Sequence, residues 1–364
     1  MKIGYNIVLI FKYAIAFAAF NIGSGFATGQ EVMQFFTQYG YFSIGTIAIC
    51  MIMLSFIGSR IMLAGFDNKN SEMESAYVYF CGKYLGRFFD LFIVVKQFAI
   101  VAVMISGTGA IFNQYFELPH YAGAAVMAFA ILFAYFLGLK NLINIGSAVG
   151  FIVIAYIFIV CIVSLWMNIG EYNEIGPIAE KIHTPTFGRN WITSGVLYSS
   201  FVLYGTVHYY AALGKSAPCR KDALYGGIIG GVLFSSVALL INLAMLTGLG
   251  GLFDKEVPFL ILAAKTSPVM GGIFSVVLLF GIFSSTAPKL WIVCSRINRE
   301  GTAANRLSAI AITAFAFLFG QLPFATLISV IYPIVGFIGL LLVGSILYKS
   351  FVMHKQESQS KTSP

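Results

Sequence analysis

The chain has 364 residues, 59% of them hydrophobic and 10% charged, with a formal net charge of +8. A soluble domain of this length has no interior large enough for that much apolar side chain, so the composition points to a polytopic membrane protein. The positive charge does not call for nucleic acid, because the basic residues sit in short stretches between apolar runs, where membrane orientation accounts for them.

Runs of roughly 20 or more apolar residues, the length that crosses a bilayer as a helix, predict ten spans. They cover residues 5–38, 41–63, 86–114, 120–138, 142–168, 189–213, 222–249, 269–297, 304–321 and 323–350. The short alternating strands of a β-barrel are not in the pattern, so the expected class is an all-α membrane protein. The opening "MKIGYNIVLIFKYAIAFAAF" reads as the first span, since its apolar run outlasts the ~7–15 residues of a signal-peptide core. With the N-terminus inside, sixteen of the 22 basic residues fall in cytoplasmic segments and four in outer loops. Both termini are then cytoplasmic, and a bacterial cell membrane is the expected location.

The first apolar segment is about 34 residues long, too long for one straight crossing, and it holds "NIGSGFATGQE". Gly23, Ser24 and Gly25 fall near its middle, where glycine permits backbone angles that other residues avoid. Packing through small residues explains a Gly25–Gly29 spacing, but it does not need Ser24, Thr28, Gln30 and Glu31 beside the glycines. The expectation is a helix broken at mid-membrane, facing protein or a wet cavity. The sixth span, "ITSGVLYSSFVLYGTVHYY", also has small and polar residues at its centre, among them Ser199, Ser200 and Gly205, and is expected to break as well. Interrupted segments at matching positions predict two five-helix repeats of opposite topology, residues 1–168 and 189–350. Residues 169–188 form an outer loop, and 351–364 a polar cytoplasmic tail expected to lack structure. Between spans seven and eight, Pro258 to Lys265 is too short to cross and is expected to lie as a helical cap over the outer mouth.

Three charged residues fall at membrane depth: Glu31, Lys96 and Lys289. Such residues are functional candidates by default, here for coupling or gating. Lys96 is placed to neutralise an anionic solute or shuttle protons; Lys289 is one turn from Ser285 on the same helix face. The five cysteines are scattered without CxxC spacing and the four histidines are dispersed, so neither a metal cluster nor an enzyme's nucleophile–base set is expected.

"IGSGFATGQEVMQFFTQYG", with "GFATGQE" and "QFF" as its specific part, and "YAALGKSAPCRKDALYGGIIGGVLF" resemble the YkvI-type family of bacterial membrane proteins. That family is a branch of the amino acid–polyamine–organocation transporter superfamily, and the likeness covers essentially the whole chain. The wider fold resembles the leucine transporter's 5+5 inverted repeat. The resemblance implies a secondary transporter moving a small organic solute by alternating access, with Na⁺ as coupling ion. It also implies the sodium ligands: the carbonyls of Ala19, Ile22 and Gly281 and the hydroxyls of Ser284 and Ser285. Such a set, without a carboxylate, suits a hard monovalent cation. The solute would lie against Gly23, Ser24, Gly25 and Phe26, facing Tyr198, Ser199, Ser200 and Phe201. This chain lacks the residues that bind an amino-acid carboxylate in the leucine-transporter pattern, so an amino acid is one possible solute among several. Proton coupling through Glu31, Lys96 or Lys289 is the alternative, and a non-transporting sensor that kept the fold is a further one.

Overall fold

The computed structural model describes residues 7–22, 24–69, 75–137, 139–167, 190–297 and 302–362. The predicted outer loop at 169–188 and Gly23 lie outside these residues. The described residues are almost entirely helical. In place of one long first helix the chain forms α1 (Ile7–Asn21), α2 (Ser24–Ala27) and α3 (Gln30–Phe35), followed by a 3-10 segment, Thr37–Phe42. Then come α4 (Ser43–Asp67), α5 (Ala76–Gln114), α6 (His120–Leu137), α7 (Leu139–Met167), α8 (Trp191–Lys215) and α9 (Arg220–Leu246). The short α10 (Pro258–Thr266) precedes α11 (Pro268–Ile297), α12 (Ala303–Phe319) and α13 (Phe324–Thr362). Five of the helical stretches are long and apolar enough to cross a membrane by length and composition, and four more are apolar but shorter.

Local chemistry sets the helix ends. The Ser75 hydroxyl accepts from the Tyr77 N–H at 3.1 Å at the start of α5. Asn190 and Thr193 form a reciprocal capping box before α8, and Thr302 accepts from Asn305 N at 3.1 Å before α12. Each satisfies donors that the first turn of a helix leaves open. Inside α5, Gly82 sits at φ 74° and kinks the helix near its start.

The helices pack in two groups. In one, α4 lies against α8 and α9, and α1 against α9; in the other, α5, α6, α11 and α12 pack on one another. Helix α7 contacts α9 and α11, while α13 contacts α4 and α5 as well as α8. Large apolar side chains such as Phe129, Phe133, Trp166 and Phe315 point outward and are exposed, as a lipid-facing surface requires.

Two expectations are corrected. The sixth span is not broken: α8 runs from Trp191 to Lys215 as one α-helix. The hydroxyls of Ser199, Ser200 and Thr206 donate to the carbonyls of Gly195, Val196 and Val202 at 2.6, 2.8 and 3.0 Å, so their own helix satisfies them. The polar tail, expected to lack structure, continues α13 as helix to Thr362. Lys, Gln, Glu and Ser after Met353 include no glycine or proline before Pro364, and nothing in them stops a helix. The short helix expected at Pro258 to Lys265 forms as α10, Pro258–Thr266.

Candidate functional site

The first segment is interrupted twice. Helix α1 ends at Asn21, and after α2 the chain turns at Gly29, whose φ of 81° lies in the left-handed region that favours glycine. The groups freed there have partners. The Thr28 hydroxyl donates to the Gly25 carbonyl at 2.6 Å and accepts from Gln30 N at 3.2 Å. The Thr28 carbonyl accepts from the Phe259 N–H of α10 at 3.0 Å. The cap helix is thus hydrogen-bonded to the interruption itself.

Past this turn, α3 carries Glu31 into the interior, where it is 7% exposed. Its two carboxylate oxygens accept from two tyrosines: Tyr332 of α13 at 2.8 Å and Tyr198 of α8 at 3.0 Å. Phe35 and Phe36 pack on the Tyr198 ring, and Phe201 stacks on Tyr332 with centroids 4.0 Å apart. Gly25 makes room for this carboxylate: a methyl group there would land on Glu31, Met104 and the Tyr332 hydroxyl. Phe26, fully buried, packs against Phe234.

Lys96 enters from α5 and is also buried. Its ammonium donates to the Phe201 carbonyl at 3.1 Å and lies 4.3 Å from the Phe201 ring centroid. Gly205, one helical turn further along α8, is the notch that admits it; a methyl group at that position would collide with the ammonium. Gly205, expected to break α8, instead leaves room for Lys96. On α11, Lys289 donates to the Ser285 carbonyl at 2.5 Å. Ser285 and Lys289 share a helix face with buried Leu278 and Ile282, yet both are half-buried. Pro288 in the same turn has no N–H, so the Ser284 carbonyl has no helical donor.

The structure gathers Gly25, Glu31, Tyr198, Phe201 and Lys96 in one region, with α2 against α5 and α11. The expected sodium set is divided between α1 and the residue after it, with Ala19 and Ile22, and α11, with Gly281, Ser284 and Ser285. Ser284 and Ser285 donate to the Gly281 and Ile282 carbonyls at 3.1 and 3.2 Å, which leaves their lone pairs to accept. Ile22 is buried, Ala19 is exposed, and the first segment meets α11 through α2. Ser199 and Ser200 are buried with their hydroxyls turned to their own helix. Gly23 lies outside the described residues, and Ser24 opens α2.

Sequence reasoning missed Tyr332, which no local pattern marks, and a polar lattice at the cap. The Gln114 side-chain oxygen accepts from the N–H groups of Glu256 and Val257 at 3.0 and 3.2 Å. Gln34 donates to the Ala325 carbonyl at 2.7 Å. Burial raises the Glu256 carboxyl above its ordinary range, while the backbone N–H groups of Ala325 and Phe324, opening α13, hold it down. Glutamines at the predicted span ends were the available signal.

This architecture is that of a multi-pass membrane protein of the leucine-transporter fold. Mhp1 in its inward-facing conformation superposes with a TM-score of 0.62 at 13% identity, over 95% of this chain and 77% of that one. A Na⁺-coupled sialic acid symporter in its substrate-bound outward-open state gives 0.50 at 13% identity, over 94% of this chain and 86% of that one. No protein-family model matches the chain. Among curated proteins it is similar to the uncharacterized membrane protein YkvI of Bacillus subtilis (strain 168), 22% identical over 93% of this chain and 95% of that protein. The uncharacterized protein YyaD of the same organism is 22% identical over 93% of this chain and 96% of its own. The likeness to YkvI-type membrane proteins therefore extends over nearly the whole length.

Proposed function

We propose that the protein is a secondary transporter that carries a small organic solute across the bacterial cell membrane by alternating access. The observation that carries this reading is the interrupted first segment, with a buried carboxylate over its glycine and a cap helix bonded to its turn. Irregular backbone at membrane depth is tolerated where it lines a binding region.

Ten spans, with both termini cytoplasmic, make two five-helix repeats, residues 1–168 and 189–350. The packing supports this division, because contacts of one half recur in the other. The α4–α8 pair corresponds to α9–α1, α5–α6 to α11–α12, α7–α11 to α13–α5 and α7–α9 to α13–α4. The solute would lie between the first segment, at Gly23, Ser24, Gly25 and Phe26, and α8, at Tyr198, Ser199, Ser200 and Phe201. The cap helix and its lattice to α13 would close the outer mouth.

Na⁺ is the proposed coupling ion, held by Ala19, Ile22, Gly281, Ser284 and Ser285. Support comes from the sodium coupling named for the sialic acid symporter and from the Ser284 carbonyl that Pro288 leaves without a helical donor. A second reading, proton coupling, is favoured by one contact: the Lys289 ammonium already donates to the Ser285 carbonyl. Thermal unfolding of the purified protein in NaCl against KCl at equal ionic strength separates them. A Na⁺-specific rise in Tm that Ser285→Ala abolishes is expected; equal Tm values in the two salts would overturn sodium coupling.

A further inference from the structure

Helix α5 is two pieces joined at Gly82. Its first turns, residues 76–81, meet the rest at φ 74° and ψ 177°, a backbone conformation that is almost confined to glycine. A Cβ at Gly82 would have nothing within 4 Å, so this glycine serves the bend itself and not a close approach. Past the bend, Gly86 lets the first turns lie back against α5: a methyl group there would land on the Val78 backbone.

Two other helices hold the turned-back piece. The Tyr77 hydroxyl donates to the Tyr204 carbonyl of α8, and Lys349 of α13 donates to the Tyr79 carbonyl and lies over the Tyr79 ring. Tyr77 is fully buried. Its ring centre is 4.7 Å from that of His208, whose Nε2 lies 3.2 Å from Asp90 Oδ1. It is also 5.4 Å from the Tyr204 ring centre, and that ring lies 5.6 Å from Lys96 Nζ. From Lys96 the contacts continue through Phe201 and Tyr332 to Glu31. Residues 76–81 therefore end a row of side chains that starts in the candidate site. Basic residues flank this end of α5 and α8, which places it at the cytoplasm.

We propose that residues 76–81 are an inner lid over the candidate site, hinged at Gly82 and held shut by Tyr77. This rests on the transporter reading above and names the element that closes its cytoplasmic mouth. Opening leaves no orphan in the membrane. The Tyr204 carbonyl keeps the His208 N–H of its own helix, and the Tyr77 hydroxyl passes to cytoplasmic water.

Two native cysteines make the lid testable without a known solute. Cys81 lies in the lid and Cys219 just before α9, and both are half-buried. Full-length protein in inside-out membrane vesicles is treated at fixed pH with a membrane-impermeant maleimide, and the labelling rate of each cysteine is read by peptide mass spectrometry. Tyr77→Phe removes only the hydroxyl. It should raise the Cys81 rate about two- to tenfold, the net worth of one hydrogen bond, and leave Cys219 unchanged. Gly82→Ala strains the closed backbone without a clash and should raise the Cys81 rate about fivefold or more. A Lys96→Cys reporter shows what the lid covers: its labelling from the cytoplasmic face should rise in step with Cys81 when Tyr77→Phe is added. The Tm of each variant shows whether it has folded. If Gly82→Ala has not, Tyr77→Phe decides, and Phe92→Cys, beside Tyr204, replaces an unfolded Lys96→Cys.

Unchanged Cys81 rates in the folded variants would overturn the proposal. So would an equal rise at Cys219, which marks general loosening, or a reporter whose labelling ignores Tyr77→Phe. Labelling of Cys81 from the outer face of intact cells would overturn the inner placement and the lid with it. Proteoliposome uptake separates this inference from the reading beneath it. A lid that gates the reporter in a protein that carries no solute keeps the lid and removes transport. A solute that is carried while the labelling rates stay fixed keeps transport and removes the lid.

Discussion

Residues 16–31 and 192–210 each carry glycines, hydroxyls and aromatic residues about a buried centre, yet the first is cut into short helices and the second is continuous. Glycine content does not separate them. In the first, the left-handed turn at Gly29 frees backbone groups, and partners from elsewhere take them up: the Phe259 N–H on the Thr28 carbonyl, and the Thr28 hydroxyl on Gly25. In the second, Ser199, Ser200 and Thr206 bond to their own helix, and among the described residues outside donors reach its carbonyls at Phe201, from Lys96, and at Tyr204, from the Tyr77 hydroxyl, without breaking it. A helix breaks where tertiary partners can satisfy the break. Both segments still use a glycine for the same purpose, to admit a charged side chain: Gly25 for Glu31 and Gly205 for Lys96.

The largest effect should come from the turn that only the first segment has. A Cβ at Gly29 would lie 2.6 Å from the Phe259 Cβ, on a backbone at φ 81°. Gly29→Val adds a left-handed penalty of about 1–2 kcal/mol to an overpacking cost of about 1–3 kcal/mol. Denaturant unfolding in detergent should show a loss of about 2–5 kcal/mol by that sum. A change below about 1 kcal/mol would mean that the turn adapts and that the cap is not fixed to it.

Next is the carboxylate. Glu31→Ala strands two buried tyrosine hydroxyls, and each unsatisfied group costs about 1–3 kcal/mol. Glu31→Gln keeps one acceptor oxygen and should lose less than half as much. If both variants match the wild type in unfolding, water replaces the carboxylate and the site is open to solvent.

The two notches can be compared by double-mutant cycles. Gly205→Ala forces the Lys96 ammonium off the Phe201 carbonyl, a loss of about 1–3 kcal/mol for a charged hydrogen bond and its packing. Lys96→Met should remove most of that loss, giving a coupling energy of about 1 kcal/mol or more. Additive effects would show that Gly205 serves α8 alone and that its proximity to Lys96 is incidental.

The helical membrane class, the interruption of the first segment, the cap helix and the buried charges were all legible, because each is written in local composition: apolar run length, glycine clusters, and an ionisable residue inside a span. The break expected in α8 was not, since a glycine that bends a helix and one that admits a side chain look alike in sequence. Lys96, which distinguishes them, belongs to a helix more than a hundred positions away from Gly205. Tyr332 was invisible for the same reason, lying 301 positions from Glu31. The polar residues of the first segment were noticed, and the break expected at Gly23 to Gly25 meets the end of α1 at Asn21 and the start of α2 at Ser24, but the second interruption, the left-handed turn at Gly29, was not expected, because it depends on the contact with Phe259 and not on the glycine count.

The smallest effect tests whether the hydroxyls of the two segments differ in kind. Thr28 bridges the Gly25 carbonyl and the Gln30 N–H across the turn, with bonds of 2.6 and 3.2 Å. Thr28→Val leaves an N–H and a carbonyl that no helix satisfies, and should cost about 1–2 kcal/mol. The Ser199 and Ser200 hydroxyls add a second bond to carbonyls that the α8 ladder already uses. Ser199→Ala and Ser200→Ala leave those carbonyls paired, and alanine is the better helix former, so each should stay within about 0.5 kcal/mol of the wild type in unfolding. A loss in either serine variant as large as that of Thr28→Val would mean that the hydroxyl holds something other than its own helix. In that case α8 would contribute side-chain oxygens to the solute, and Ser199 and Ser200 would bind it directly.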